Sequence, residues 1–383
     1  MNMTSLLKTV QTAAMLLAAA TLFGLAAPAL ADYQRKAEEA TDYIQSHFYD
    51  AAAKRYRPSF PVNPKALPFD FMWANGVQYS ALVAAARWNP AKYRKLLYDF
   101  SDGMESGYWD PQASVSGFNA YCSGPGGTDK YYDDNAWLAI SFTEAYKNTN
   151  DPIFLRRALE TQKFVLSGWD ETLGGGIFWK LDHQSKNTCS NAPAAAAALH
   201  LAQVAGDKDQ LAWALKIRMW LEGKLQDKDG LYWDCVTKQG KLEKTKWSYN
   251  TAMMIQADLL LYKLKHQASD LREARRMADA GLAFWTDPGT GSLQKTENTP
   301  RFTIYFSEAL LRLYDETNDE KYLDAVRRQA DHGYRFARDP KDGGYWDNWK
   351  DGSHRPGEAK SLIESAAAAR LFWLLVPYSD PNP

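Results

Sequence analysis

Apolar positions along this chain recur with helical spacing, and they do so in two alternating styles. One kind of segment is apolar or small on nearly every side: "APAAAAALHLAQVAG", "TAMMIQADLLLYKL", "FTIYFSEALLRLY" and "SLIESAAAARLFWLLV". The other carries one apolar stripe among charges: "PIFLRRALETQKFVL", "DLREARRMADAGLAFW" and "YLDAVRRQADHGYRFA". A helix that is apolar all round is buried on most sides, whereas a single stripe leaves the rest for water. Short polar turns lead from the first kind to the second, at "RWNPAK" (87–92), "KNTNDP" (147–152), "AGDKDQ" (205–210), "HQASD" (266–270) and "ETNDEK" (316–321). These turns hold helix-stopping and N-capping residues. The return is made through a stretch rich in glycine and aromatics: "SGYWDP" (106–111), "GGGIFWK" (174–180), "DGLYWDC" (229–235), "DPGTGSL" (287–293) and "DGGYWDNW" (342–349), with "FYDAAAKRYR" (48–57) as a weaker first copy. Six such stations, about 53 to 70 residues apart where the match is clear, form an internal repeat.

Six inner and six outer helices in alternation predict an all-α fold, an (α/α)6 barrel. An open α-solenoid is the alternative, but it calls for terminal capping repeats that the sequence does not display. In a barrel the tight turns lie on one face and the long Gly/aromatic loops on the other. A cleft built from long loops over a rigid scaffold is the expected site, and the starts of the inner helices point toward it.

The first residues stand apart from this pattern. Lys8 precedes "AAMLLAAATLFGLAAPALA", which ends in Ala29-Leu30-Ala31, so residues 1–31 read as a secretory signal peptide cut before Asp32. The expectation is an exported protein, periplasmic or extracellular, whose residues 32–383 form a single barrel domain and work as a monomer. No cysteine follows the cut, and "AAAARLFWLLVP" is short and broken by Arg370, so neither a lipid anchor nor a membrane span is expected. The 352 remaining residues carry 44 basic and 46 acidic side chains, which gives no electrostatic case for nucleic acid or an anionic membrane. Cys122, Cys189 and Cys235 permit one optional disulfide and leave a buried thiol; their spacing suggests no metal site, and no cofactor site is apparent. Aromatics make up 13% of the chain, which suits sugar rings with apolar C–H faces but also suits a large core.

Candidate chemistry sits in "KYYDDNAWLAI" (130–140), an inner-helix start that follows the glycine-rich loop "YCSGPGGTDK". Asp133 and Asp134 there can act as N-terminal caps, since acids suit the first turn of a helix. They can also do chemistry. Glycoside hydrolysis needs one carboxyl as acid and another as nucleophile or base, roughly 5–5.5 Å apart when configuration is retained. Adjacent acids resist joint ionisation, so one keeps its proton while the helix N-terminus favours charge on the other. The residues alone do not decide which acid plays which part.

Four stretches in order resemble glycoside hydrolase family 76, bacterial endo-α-1,6-mannanases with an (α/α)6 barrel. "YYDDNAWLAISFTEAY" resembles the family's Asp-Asp helix, "GGGIFWK" its Gly-rich loop, "KNTCSNAPAAAAAL" (186–199) its Lys-Asn followed by Asn, and "WSYNTAMMIQADLLLY" (247–262) its Tyr-Asn helix start. The resemblance implies a retaining mechanism, with Asp133 as nucleophile and Asp134 as acid/base, acting on α-mannan or mannose-containing oligosaccharide. It further implies sugar-hydroxyl ligands at Lys186, Asn187, Asn191, Tyr249 and Asn250, for each of which a structural role is an equal alternative. Tyr132 and Trp179 are the candidates for ring stacking. The family's Phe-Lys-Gly at the fifth inner helix is absent here, where that helix starts "TPRFTIYFSEAL" (299–310). Other readings are a glycan-binding protein without turnover, a histidine-dependent epimerase using His183 or His354, and an unsaturated uronyl hydrolase.

Overall fold

The structure is a computed structural model that describes residues 32–379, except 112, 113, 125, 126, 128, 298, 351 and 356. The segment read as a signal peptide lies outside the described residues, and no described helix is long and apolar enough to cross a membrane. Six helices form an inner ring: α2 (Met72–Trp88), α4 (Tyr132–Thr149), α6 (Thr188–Ala205), α8 (Ser248–Lys265), α10 (Pro300–Thr317) and α12 (Leu362–Leu375). Six lie outside it: α1 (Asp32–His47), α3 (Pro90–Tyr108), α5 (Pro152–Ser167), α7 (Lys208–Lys224), α9 (Ala268–Trp285) and α11 (Glu320–Phe336). Each inner helix packs on the next, and α12 closes the ring against α2, which makes the (α/α)6 barrel and excludes the open solenoid. The first described helix, α1, covers the last inner helix, α12, so the two ends of the described residues are packed together.

Local chemistry explains the alternation. On the tight-turn face, α4, α6, α8 and α10 stop at Asn150, Gly206, His266 and Asn318, all in the left-handed conformation that suits glycine and asparagine. Asn89, Asp151, Asp207 and Asp319 then cap the following outer helices with their side chains. Small residues let the inner ring close tightly: Ala192 and Ala194–Ala198 of α6 are all fully buried.

The opposite face is laced by main-chain hydrogen bonds. Each inner helix leaves its first N–H groups without intrahelical partners. At five of the six, the first of those groups is taken up by the loop that leads to the next inner helix, while at α10 the Arg301 N–H goes to the Glu364 carboxylate of α12. Met72 N donates to Ala120 O (2.8 Å), Tyr132 N to Trp179 O (2.9 Å), Thr188 N to Asp234 O (2.8 Å) and Leu362 N to Pro58 O (3.0 Å). At α8 the acceptor is a side chain instead, Glu297 Oε1 at 2.6 Å from Ser248 N. Short antiparallel pairings reinforce the lacing, with Ser59–Phe60 against Lys360–Ser361 joining the two ends of the circuit.

Candidate active site

The N-caps of the inner helices are Phe71, Tyr131, Asn187, Trp247, Thr299 and Ser361. Counting from them puts Trp73, Asp133, Cys189, Tyr249, Arg301 and Ile363 at equivalent second helical positions. Four of these, Trp73, Asp133, Cys189 and Tyr249, line a cleft of about 560 Å³ at the loop face. Asp134, from the third position of α4, and Trp137, one turn further in, line it too. Tyr131, Trp179, Trp247, Phe302 and the loop carboxyl of Asp234 complete the wall.

The two adjacent acids differ in their surroundings. Asp133 Oδ1 accepts the main-chain N–H of Asp134 (2.9 Å). Its Oδ2 accepts the Trp179 indole N–H (2.8 Å) and lies 3.3 Å from the Cys189 thiol. Among the described residues no side chain bonds to the Asp134 carboxyl, which faces the cleft. Burial raises the pKa of Asp133, while the indole, the thiol and the N–H oppose the rise. Asp134 is raised further, by burial and then by the charges of Asp133 and Asp129.

Trp179 reaches Asp133 because of the glycines before it. Gly174, Gly175 and Gly176 all have positive φ, and a Cβ on Gly175 or Gly176 would strike Trp169 or Trp220. The turn they make lays Lys180 against Tyr131 as a β-bridge, so the Trp179 ring meets Tyr131 edge-on at 5.1 Å. Trp179, the candidate for ring stacking, lines the cleft with its ring 37% exposed at the rim, and its indole N–H is committed to Asp133.

The other expected residues divide. Asn187 and Tyr249 line the cleft, with Tyr249 stacked on Phe302 (5.2 Å). Tyr132 does not. At the first position of α4 it points outward, is buried, and stacks on Phe164 of α5 (5.0 Å); its neighbour Tyr131 holds the cleft position. Lys186 is wholly buried in the preceding loop, where its ammonium bonds Asp170 and the carbonyls of Thr172 and Gly175 (both 2.7 Å). Asn191 braces the Ile177 backbone, accepting from its N–H (2.7 Å) and donating to its carbonyl (2.8 Å). Asn250 is wholly buried beside Asp234, with neither amide atom in hydrogen-bond geometry. His183 stacks on Phe178 and His354 on Trp346, and neither lines the cleft, which removes the basis of the histidine reading. All three cysteines are free thiols, so the optional disulfide is not formed; Cys189 and Cys235 lie in the cleft wall and Cys122 in the loop before α4.

Sequence reasoning passed over Asp234, Cys189, Trp73 and Trp137. Asp234 is half-buried, and burial with the nearby charge of Glu243 raises it to about 6. The signal for Cys189 and Trp73 was their offset from the inner-helix starts, equal to that of Asp133.

Paired carboxyls with unequal proton affinity, set among aromatic rings in a cleft above a helical barrel, make a glycosidase type of site. A family model described as Glycosyl hydrolase family 76 matches residues 32–302, and the chain belongs to that family. Among solved structures, it is similar to the GH76 α-mannanase BT2949 of Bacteroides thetaiotaomicron, with 24% identity, TM-score 0.83, and coverage of 91% of this chain and 96% of that one. It is also similar to an inactive variant of the α-1,6-mannanase GH76A of Salegentibacter sp. HEL1_6, in which two consecutive aspartates are replaced by asparagine, in complex with α-1,6-mannotriose. There the identity is 24%, the TM-score 0.77, and the coverage 90% of this chain and 99% of that one. The Meiotically up-regulated gene 191 protein of Schizosaccharomyces pombe is 26% identical over 313 residues, which is 73% of this chain and 69% of that protein.

Proposed function

We propose that this glycoside hydrolase cleaves α-mannosidic linkages with retention of configuration, and that its substrate is α-1,6-linked mannan attacked within the chain. The observation that carries the assignment of roles is the unequal donor set of the two acids. Asp133 receives an indole N–H, a thiol and a main-chain N–H, each of which favours its charged form. Asp134 receives none from a side chain and feels the charge of Asp133, so it keeps the shared proton. Asp133 is then the nucleophile. It attacks the anomeric carbon while Asp134 protonates the departing glycosidic oxygen, giving a mannosyl-enzyme ester. Asp134, now ionised, takes a proton from water as that water attacks the same carbon and frees Asp133.

The aromatic wall supports a sugar substrate: Tyr131, Trp247, Tyr249 and Phe302 offer ring faces, and Asn187 and Asp234 offer hydroxyl partners. Lys186, Asn191, Asn250 and Tyr132 are assigned to the scaffold that holds these groups. The α-1,6 preference draws on the Salegentibacter relative, whose inactive variant lacks two consecutive aspartates and was captured with α-1,6-mannotriose. The N-terminal pattern supports export, to the periplasm or beyond the cell, where a polymeric mannan is met.

The test is product analysis on α-1,6-mannan with residues 32–383. A ladder of oligosaccharides whose new reducing ends first appear in the α configuration is expected. Asp133→Asn and Asp134→Asn should each slow cleavage by roughly three orders of magnitude. Binding of mannan without cleavage of any α-mannoside would make this a glycan-binding protein. Unchanged rates in both variants would dismiss the site.

A further inference from the structure

Cys189 occupies on α6 the same helical position that Asp133 occupies on α4, and the two side chains meet in the cleft wall with Sγ 3.3 Å from Oδ2. The direction of this contact is fixed by chemistry. An ionised carboxylate only accepts, so the thiol must donate. The thiol is 5% exposed, and burial, followed by the charges of Asp133 and Asp234, pushes its pKa well up, so it keeps its hydrogen at neutral pH. The Trp179 indole donates to the same oxygen, and the Asp134 N–H holds the other one. Three donors from three segments thus fix the carboxylate plane: α4 itself, the glycine-led loop, and α6.

We propose that Cys189 is a positioning residue for the nucleophile, its S–H sharing with the Trp179 indole the task of holding Asp133 toward the anomeric carbon. This rests on the role assigned to Asp133 above. A thiol is a weak donor, so it orients Oδ2 while drawing off less of its electron density than a hydroxyl or ammonium would. The contact also couples two titrations, since charge on either group disfavours charge on the other. The titratable groups facing this pair are Asp134 on α4, Asp129 in the loop before it, Asp234 in the loop before α8, and Tyr249 on α8.

Two measurements test it. The first is the pH profile of kcat/KM on an α-1,6-manno-oligosaccharide. Cys189→Ala should move the acidic limb to higher pH by about half a unit, because a donor to the charged form of Asp133 is lost, with KM changed less than about twofold. Cys189→Ser, which restores a donor of similar size, should bring the limb back to or below the wild-type position. A purely structural cysteine would lower expression or thermal stability in both variants without moving the limb. The second measurement needs no substrate: the rate at which iodoacetamide alkylates Cys189 at pH 8, read by mass spectrometry of its peptide. Asp133→Asn removes the charge that suppresses the thiolate, and the rate should rise about fivefold or more. If wild type cleaves no mannoside, the functional reading fails while the alkylation rate still decides the contact. If alkylation is unchanged and the limb does not move, the proposal is overturned.

Discussion

Asp134 is a residue placed against its own stability. Its side chain sits among buried groups with a second carboxyl next door, and its folded pKa is raised well above the usual value, by burial first and by Asp133 second. A raised pKa means the native state holds a proton that the unfolded chain has given up above about pH 4, so folding stability falls as pH rises past that point. Asp134→Asn removes the ionisation while keeping the shape. The expected outcome is loss of turnover together with a Tm at pH 7.5 a few degrees above wild type, and no gain at about pH 2.5, where the acid is protonated in both states; scanning calorimetry at the two pH values decides it. The neighbouring tyrosines separate site from scaffold. Tyr132 is buried against Phe164, so Tyr132→Ala should cost about 3–5 kcal/mol of stability, read from denaturant unfolding. Tyr131 lies at the cleft rim, and Tyr131→Ala should weaken mannan binding severalfold with stability nearly unchanged. Sequence alone offered both rings beside the acids, and the choice between them turned on one step of about 100° around a helix whose exact start was not yet known.

At the level of elements, the repeat was legible in outline and its fastenings were not. The alternation of wholly apolar and one-striped helices gave the ring, and the glycine-aromatic stretches gave the loop face. What escaped was a lysine just before four inner-helix starts. Lys130 bonds Asp110, Lys186 bonds Asp170, Lys246 bonds Asp227 and Asp229, and Lys360 bonds Asp339 and Asp342. In each case the aspartate lies in the Gly/aromatic station or a few residues before it, so the ammonium ties the loop's two ends together before the helix begins. No local rule links residues 16 to 21 positions apart, so the sequence did not choose between the sugar ligand that the resemblance implies at Lys186 and a structural role for it. Aligning the chain on its helix starts exposes the pattern, as it does for Asn135 and Asn191, which brace the backbones of Phe118 and Ile177 in the same way. The clasps differ in depth, and this makes them testable. Lys130 and Asp110 are both buried, so Lys130→Met breaks a buried ion pair and should cost about 3–5 kcal/mol. Lys246 is paired with partly exposed aspartates, and Lys246→Met should cost about 1 kcal/mol or less. Equal losses at the two positions in urea unfolding would count against the clasp as the cause.

Across the whole molecule, buried carboxyls fall into two opposite groups, those held by cations and those left to burial. The end away from the cleft holds a buried network in which Arg370 and Arg312 share Glu144 and Glu308. There burial works against Glu308, but the two guanidinium groups hold its pKa well below the usual carboxylate range. On the loop face, Asp170 is also lowered, against the effect of burial, by Lys186, and Asp339 by the Lys341 N–H and Lys360. Among the carboxyls left to burial the balance is reversed. Burial raises Asp70 and Glu297 to about 7, and it raises Asp133 and Asp134 as well. The lowered group contributes stability that is present above the unfolded value near pH 4 and lost as pH falls below it. The raised group contributes stability that is present below pH 4 and lost as pH rises through about 6 to 7. Together they place the greatest thermal stability near pH 4 to 5, bounded on the acid side by the ion-paired carboxylates and on the neutral side by the cleft. Tm measured from pH 3 to 8.5 should pass through a maximum in that window. In an Asp133→Asn, Asp134→Asn double variant the fall toward pH 8 should become shallower, while the fall toward pH 3 stays as it is. A wild-type Tm that climbs steadily to pH 8 would mean that the cleft acids are not held protonated, and with that the unequal sharing of a proton on which the proposed chemistry depends would be lost.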